Sequence, residues 1–269
     1  MFRKQALGFA SAFAVLFAIG ASNLPAQAQQ QAESRLQKVQ KAGVLRVGTT
    51  GDFNPMSFRD PADNQYKGFD IDAMTQLAKD LGVKVEWVQT DWATLITGVV
   101  SNRYDIFAGG SSINVARAKV AAFTVPYFEA GTVPLVLREN AAKFKNWEAI
   151  NQSGVKVAVT LGTVFADHAK QHFPKATITT IQSPANGYQE VLAKRAEVTI
   201  TSNVEASSLI QRYKEMTLVA DATPRNRRPF GYVVAQDDAA WVNFLNTWVT
   251  LKKLEGFFDG LEAKWMPKN

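Results

Sequence analysis

The chain has 269 residues, 46% of them hydrophobic and 20% charged, with a formal charge of +6. That balance excludes a largely disordered chain, a collagen-like repeat and a multi-span membrane protein, and the length allows one large domain or two of roughly 100–130 residues. Cys is absent and His occurs twice, which excludes disulfides, a thiol nucleophile and cysteine-based metal sites. Arg3 and Lys4, an apolar run from Ala6 to Ala21, and Ala26-Gln27-Ala28 describe a secretory signal peptide over residues 1–28, removed after Ala28. The run is short for a membrane span, which needs about 20 residues. Losing Arg3 and Lys4 lowers the charge from +6 to +4. With no cysteine to carry a lipid, the expected product is a soluble, periplasmic protein. A charge so mild and unclustered argues against a nucleic-acid partner.

After a Gln-rich stretch, Ala26 to Ala32, that reads as a flexible mature N-terminus, strand and helix patterns alternate. Val44 to Val47 reads as a strand. Ile71, Met74, Leu77, Ala78 and Leu81 have helical spacing, and Val83, Val85 and Trp87 alternate as a strand. Leu95, Ile96, Val99 and Val100 form a helical face, and Tyr104 to Ala108 a short strand. A second round begins after Pro126: strand Val133 to Arg138, strand Val155 to Val159, helix Val164 to His172, strand Thr177 to Ile181, helix Ala185 to Ala193, strand Glu197 to Thr201 and helix Asn203 to Tyr213. Beyond Pro224 to Pro229 come a strand, Tyr232 to Ala235, and helices Trp241 to Leu254 and Phe257 to Trp265. The pattern predicts an α/β protein with two units, each a mainly parallel sheet flanked by helices. Ligands of such sheets bind beyond the carboxyl ends of the strands. That singles out the loops Thr49 to Phe58, Thr90 to Trp92, Gly109 to Arg117, Leu161 to Phe165 and Thr201 to Glu205.

The richest loop is Gly109-Gly110-Ser111-Ser112-Ile113-Asn114-Val115-Ala116-Arg117. Glycine permits close backbone approach, Ser112 offers a hydroxyl, and the Arg117 fork suits one carboxylate. This loop, with Phe123 to Tyr127, resembles the pocket motif of the family 3 periplasmic solute-binding proteins, which serve polar amino acid importers. Gly48 to Pro55 resembles that family's first loop, Gly68 to Asp72 the start of its first helix, and Val157 to Thr163 its second-lobe strand and turn. The resemblance spans nearly all of 36–266 and is closest to the cyclohexadienyl (arogenate/prephenate) dehydratase branch. It implies a two-lobe hinged fold, with lobe 1 formed by residues 35–132 plus 231–269 and lobe 2 by 133–230. It also implies a cleft in which Arg117 grips a ligand carboxylate, with Gly110, Ser112, Thr163 and the helix opening at Val164 assisting, and Ser202 at the position of the ligand's amine. Phe53 and Trp92 would be apolar walls.

Two departures from the family bear on chemistry. Where amino acid binders place an Asp for the ligand ammonium, this chain has Ser202, and losing one partner of a buried charge pair costs about 2–5 kcal/mol. A carboxylate lacking the amine is therefore favoured unless Asp52 or Glu205 supplies the charge. Where the dehydratases carry a Glu expected to act as general acid, this chain has Phe165, which cannot donate a proton. Such an acid is typically worth about 10²–10⁴ in rate. Dehydratase activity is thus not expected, and no catalytic residue, cofactor or metal is assigned. His168 and His172 read as a solvated helix face, Asp70 as a helix cap, and Arg225, Arg227 and Arg228 as a basic, solvated hinge. The expected function is an exported receptor, a monomer that hands a small anionic or zwitterionic solute to an ABC transporter permease in the inner membrane. The alternatives are a cyclohexadienyl dehydratase and an accessory interaction protein of periplasmic methanol oxidation.

Overall fold

The computed structural model describes residues 33–267; the expected signal peptide, its cleavage site and the Gln-rich stretch lie outside them. Helix α1 (Arg35–Ala42) opens on a capping box in which Ser34 and Gln37 satisfy each other's free backbone N–H groups. β1 (Val44–Thr49) follows, then β2 (Asp52–Phe53), β3 (Ser57–Arg59) and β4 (Tyr66–Lys67), which form a small antiparallel sheet of their own. α2 (Phe69–Leu81) ends at Gly82 in the left-handed region and leads to β5 (Lys84–Gln89), α3 (Leu95–Val100), β6 (Ile106–Phe107), α4 (Val115–Ala118) and β7 (Ala122–Phe123). The chain then crosses into a second lobe. Its elements are β8 (Phe128–Leu137), α5 (Trp147–Ile150), β9 (Lys156–Thr160), α6 (Val164–His172), β10 (Thr177–Ile181), α7 (Gly187–Leu192), β11 (Val198–Ser202), α8 (Asn203–Arg212), β12 (Met216–Leu218) and β13 (Arg225–Phe230). It returns with β14 (Val233–Val234), α9 (Ala239–Leu254) and α10 (Phe257–Trp265).

The first sheet has the order β5-β1-β6-β14-β7, with β1 parallel to both neighbours and β14 antiparallel to β6 and β7. The second runs β10-β9-β11-β8-β12, with β13 also paired to β8; β9, β10 and β11 are parallel and the rest antiparallel. Both faces of the second sheet are covered. Val157 and Val159 of β9 pack with Trp147 and Phe173 on one side, while Ala158 joins Leu135, Leu209 and Met216 on the other. This is the fully buried kind of strand, read as a continuous apolar run. Trp241, Leu245 and Trp248 of α9 and Phe258 of α10 return to the core of the first lobe around Leu45, Val47 and Phe69. Trp265 and Lys264 both donate to Asp72, tying α10 to α2.

Three expectations need correction. The stretch expected as a solvated basic hinge is a strand: β13 pairs with β8, which begins at Phe128 and not at Val133. Pro224 and Pro229 suggest a break, but a register shift between Arg225 and Arg228 accommodates the irregular segment within the ladder. Asp70 does not cap α2, whose N-cap is Gly68; its carboxylate is fully buried and accepts from the Gly110 N–H and the Tyr127 hydroxyl. His168 is buried, not solvated, and shares a hydrogen bond of 2.8 Å with the Thr132 hydroxyl.

Candidate functional site

The strand ends of the two lobes face each other across a cleft, and three hydrogen bonds cross it. The Arg117 Nη2 donates to the Gly162 carbonyl at 2.9 Å, the Ser183 hydroxyl donates to Asp52 at 2.6 Å, and the Asn186 amide donates to the Asp52 carbonyl at 3.3 Å. The Gly162 backbone lies directly on Trp92 and Ala93 of the opposite lobe, so close that a Cβ would stand 2.5 Å from the Ala93 nitrogen. The lobes therefore touch.

Arg117 sits in the first turn of α4, where the Asn114 side chain caps the helix by accepting from the Arg117 N–H. The guanidinium donates to the Ser111 hydroxyl, the Ser112 carbonyl and the Gly162 carbonyl, all neutral. Among the described residues no carboxylate lies within ion-pair distance of it. Burial pulls its pKa down to about 10, with Asp167 opposing weakly through space. A partly buried cation held only by neutral acceptors retains charge that an anion can satisfy.

Three recesses run along the cleft. The central one is lined by Asp52, Phe53 and Trp92 from the first lobe and by Thr163, Phe165 and Glu205 from the second. Phe53 meets Trp92 edge to face at 5.6 Å, and the indole N–H of Trp92 donates to Asp52 at 2.9 Å. Glu205 lies in the first turn of α8, 6% exposed, and accepts from the Thr201 hydroxyl. Burial, with Asp52 adding repulsion, pushes its carboxyl up to about 8. An outer recess shares Asp52, Asn186, Tyr188 and Glu205 with the central one. Arg59 and Arg212 also line it, each stacked on a neighbouring tyrosine. The inner recess is lined by Ser112, Val164, Phe165, His168, Ser202 and Arg228. Phe165 is the wall common to the inner and central recesses.

Of the nine ligand-binding residues expected from sequence, Asp52, Phe53, Trp92 and Thr163 line the central recess and Ser112, Val164 and Ser202 the inner one. Gly110 and Arg117 line none of the three. Gly110 takes φ +76° and leaves room for Phe53, whose ring would be 2.7 Å from a Cβ there. Two expected hydroxyls are already engaged: Thr163 donates to the Thr160 carbonyl, and Ser202 caps α8 by accepting from the Glu205 N–H. Sequence reasoning missed Asn186, Tyr188, His168 and Arg228. His168 was legible only as helical spacing, and nothing marked Arg228 as facing inward.

Two lobes joined by crossing strands, with a cleft lined from both sides, define a hinged solute-binding protein. The chain belongs to the bacterial extracellular solute-binding proteins, family 3, whose pattern matches residues 45–268. It is similar to a cyclohexadienyl dehydratase of Pseudomonas aeruginosa, 31% identical over 95% of this chain and 92% of that one. Among solved structures it resembles the ancestral amino acid-binding protein AncCDT-1, a precursor of cyclohexadienyl dehydratase, at TM-score 0.80 and 39% identity, covering 86% of this chain and 99% of that one. It also resembles a binding component of an ABC transporter from Wolinella succinogenes in complex with lysine, at TM-score 0.78 and 27% identity, covering 84% and 97%.

Proposed function

We propose that the protein is the periplasmic receptor of an ABC importer, which binds a small carboxylate or amino-acid-like solute between its lobes and delivers it to a membrane permease. The observation that carries this reading is Arg117: a partly buried guanidinium that reaches from one lobe to the other and, among the described residues, has no carboxylate partner. A solute carboxylate would replace the Gly162 and Ser112 carbonyls as its acceptor. The N-terminus of α6, which opens at Val164 immediately beyond Gly162 and Thr163, adds N–H groups and a favourable dipole for the same anion. Family membership and the likeness to a lysine-bound transporter component support the reading. A thermal-shift panel of amino acids, their des-amino analogues and dicarboxylates tests it on protein unfolded and refolded to strip carried-over ligand. A true ligand at 100 times its Kd adds about 2.7 kcal/mol of stability. No shift with any member of the panel would contradict the reading.

Dehydration of prephenate or arogenate is a second reading. The dehydratase relative and a carboxyl in the cleft that holds its proton at neutral pH, Glu205, favour it. Phe165, which stands where that branch has its acid, weighs against it. Turnover of either compound, abolished by Glu205→Gln, would establish it; no turnover leaves the receptor.

A further inference from the structure

Charge is distributed unevenly along the cleft. In the inner recess the hydroxyls of Ser112 and Ser202 stand with the His168 ring and Arg228, and no acid lines it. The Arg228 Nε is buried without a hydrogen-bond partner, and among the described residues no carboxylate pairs with its guanidinium. Arg117 adjoins the same end, because it donates to the carbonyl of Ser112. An ammonium placed beside Ser202 would meet like charge and find no acid lining that recess, whereas an anion would find donors. This is the end of the cleft at which the expected amine position, Ser202, lies.

Beyond Phe165 the sign reverses. Asp52 and Glu205 both line the central recess, among the rings of Phe53, Trp92, Phe165 and Tyr188. The Asp52 carboxylate takes two neutral donors, Trp92 and Ser183, and the Glu205 carboxylate takes one, Thr201. Among the described residues neither is within ion-pair distance of a lysine or arginine. Arg59 and Arg212 line only the outer recess, not the central one; within the central recess two acids and several aromatic faces form a receptor for a cation, since carboxylates and ring faces both attract positive charge. The rings between the two ends offer an apolar surface for a short methylene chain.

We propose that the solute is a carboxylic acid without an α-amino group that carries its positive charge at the far end, an ω-amino or ω-guanidino carboxylic acid. The inference rests on the receptor reading above and specifies its substrate. The carboxylate sits at the Arg117, Ser112 and Arg228 end, the methylene chain passes Phe165, and the distal cation docks between Asp52 and Glu205. An α-amino acid with the same tail brings a second positive charge to the wrong end.

Isothermal titration of the refolded protein tests this with 6-aminohexanoate, 5-guanidinopentanoate, lysine, arginine and hexanoate. The two ω-cationic acids should bind at least about tenfold more tightly than lysine and arginine, and than hexanoate; tenfold corresponds to about 1.4 kcal/mol. If lysine or arginine binds as well as its des-amino counterpart, the substrate assignment fails while the receptor reading stands. If hexanoate binds as tightly as 6-aminohexanoate, the acidic end plays no part and the assignment fails again. If none of the five binds, the assignment fails, and the wider panel of amino acids, des-amino analogues and dicarboxylates decides the receptor reading. Glu205→Gln should weaken 6-aminohexanoate more than hexanoate, and Ser202→Asp should narrow the gap between 6-aminohexanoate and lysine. An unmoved ratio in both variants would overturn the proposal.

Discussion

Gly162→Ala separates closure of the cleft from integrity of the fold. Gly162 has φ +79°, and an L-residue held there costs about 1–2 kcal/mol whether the lobes are apart or together. The closed arrangement adds a second, larger cost. The new Cβ would lie 2.5 Å from the Ala93 nitrogen and 2.6 Å from the Trp92 carbonyl carbon. These are backbone atoms of the other lobe and cannot rotate aside, so the lobes must part at this point. Overpacking of this kind costs typically about 1–3 kcal/mol, and it falls on the closed arrangement alone. Loss of roughly 2 kcal/mol from the closed state alone weakens ligand binding about 30-fold. The fold, which bears only the backbone strain, should melt lower by roughly 2–8 °C. Titration calorimetry gives the first number, a thermal melt the second, and X-ray scattering of the ligand-free protein should show a larger radius of gyration. An unchanged Kd together with an unchanged radius would refute the reasoning.

Further outcomes follow from the buried acids and the aromatic wall. Burial raises the Glu205 carboxyl from 4.5 to about 8, so between those values the folded chain keeps a proton that the unfolded chain releases. Stability from this group is complete below about pH 4.5, falls by up to about 1.4 kcal/mol per pH unit as pH rises, and levels off above about 8. Glu205→Gln should remove that slope, measured as the difference between the two proteins in urea midpoints from pH 5 to 8; parallel curves would argue that Glu205 is ionised throughout. A cation docking on Glu205 ionises it, so binding of 6-aminohexanoate at pH 7 should release close to one proton, detected as a dependence of binding enthalpy on buffer ionisation enthalpy. No such dependence would place the cation elsewhere. Trp92→Phe keeps a ring against Phe53 but removes the donor to Asp52, and should weaken cationic ligands by less than about tenfold with little loss of stability. Leu45→Ala empties a fully buried core position and should cost about 2–5 kcal/mol in urea unfolding.

The alternation of strands and helices was legible because local patterns report local structure. Thr177–Ile181 is a strand with the expected bounds, and Val164–His172 is the helix that its sequence describes. What depended on partners distant in sequence was not. β13 becomes a strand only because β8 lies beside it, with Phe128 opposite Phe230 and Thr132 opposite Arg225. Asp70 has the position of a first-turn acid, and only the fold brings Gly110 and Tyr127 to it. The site divides in the same way. Asp52, Phe53, Trp92 and Thr163 follow from loop positions, as does Glu205 as the alternative charge. The partition by Phe165, the turning of Arg228 towards Ser202 and the bridging of the cleft by Arg117 depend on how the lobes meet, which no local pattern encodes.

Arg117 is the group proposed to hold a solute carboxylate between the lobes. The decisive measurement is the affinity of Arg117→Ala for the tightest carboxylate that the panel yields, with urea unfolding of the same preparation. The expected result is a cooperative fold and binding weakened by about 2–5 kcal/mol, roughly 30-fold to several thousand-fold. A folded variant that binds as tightly as the parent protein would contradict it.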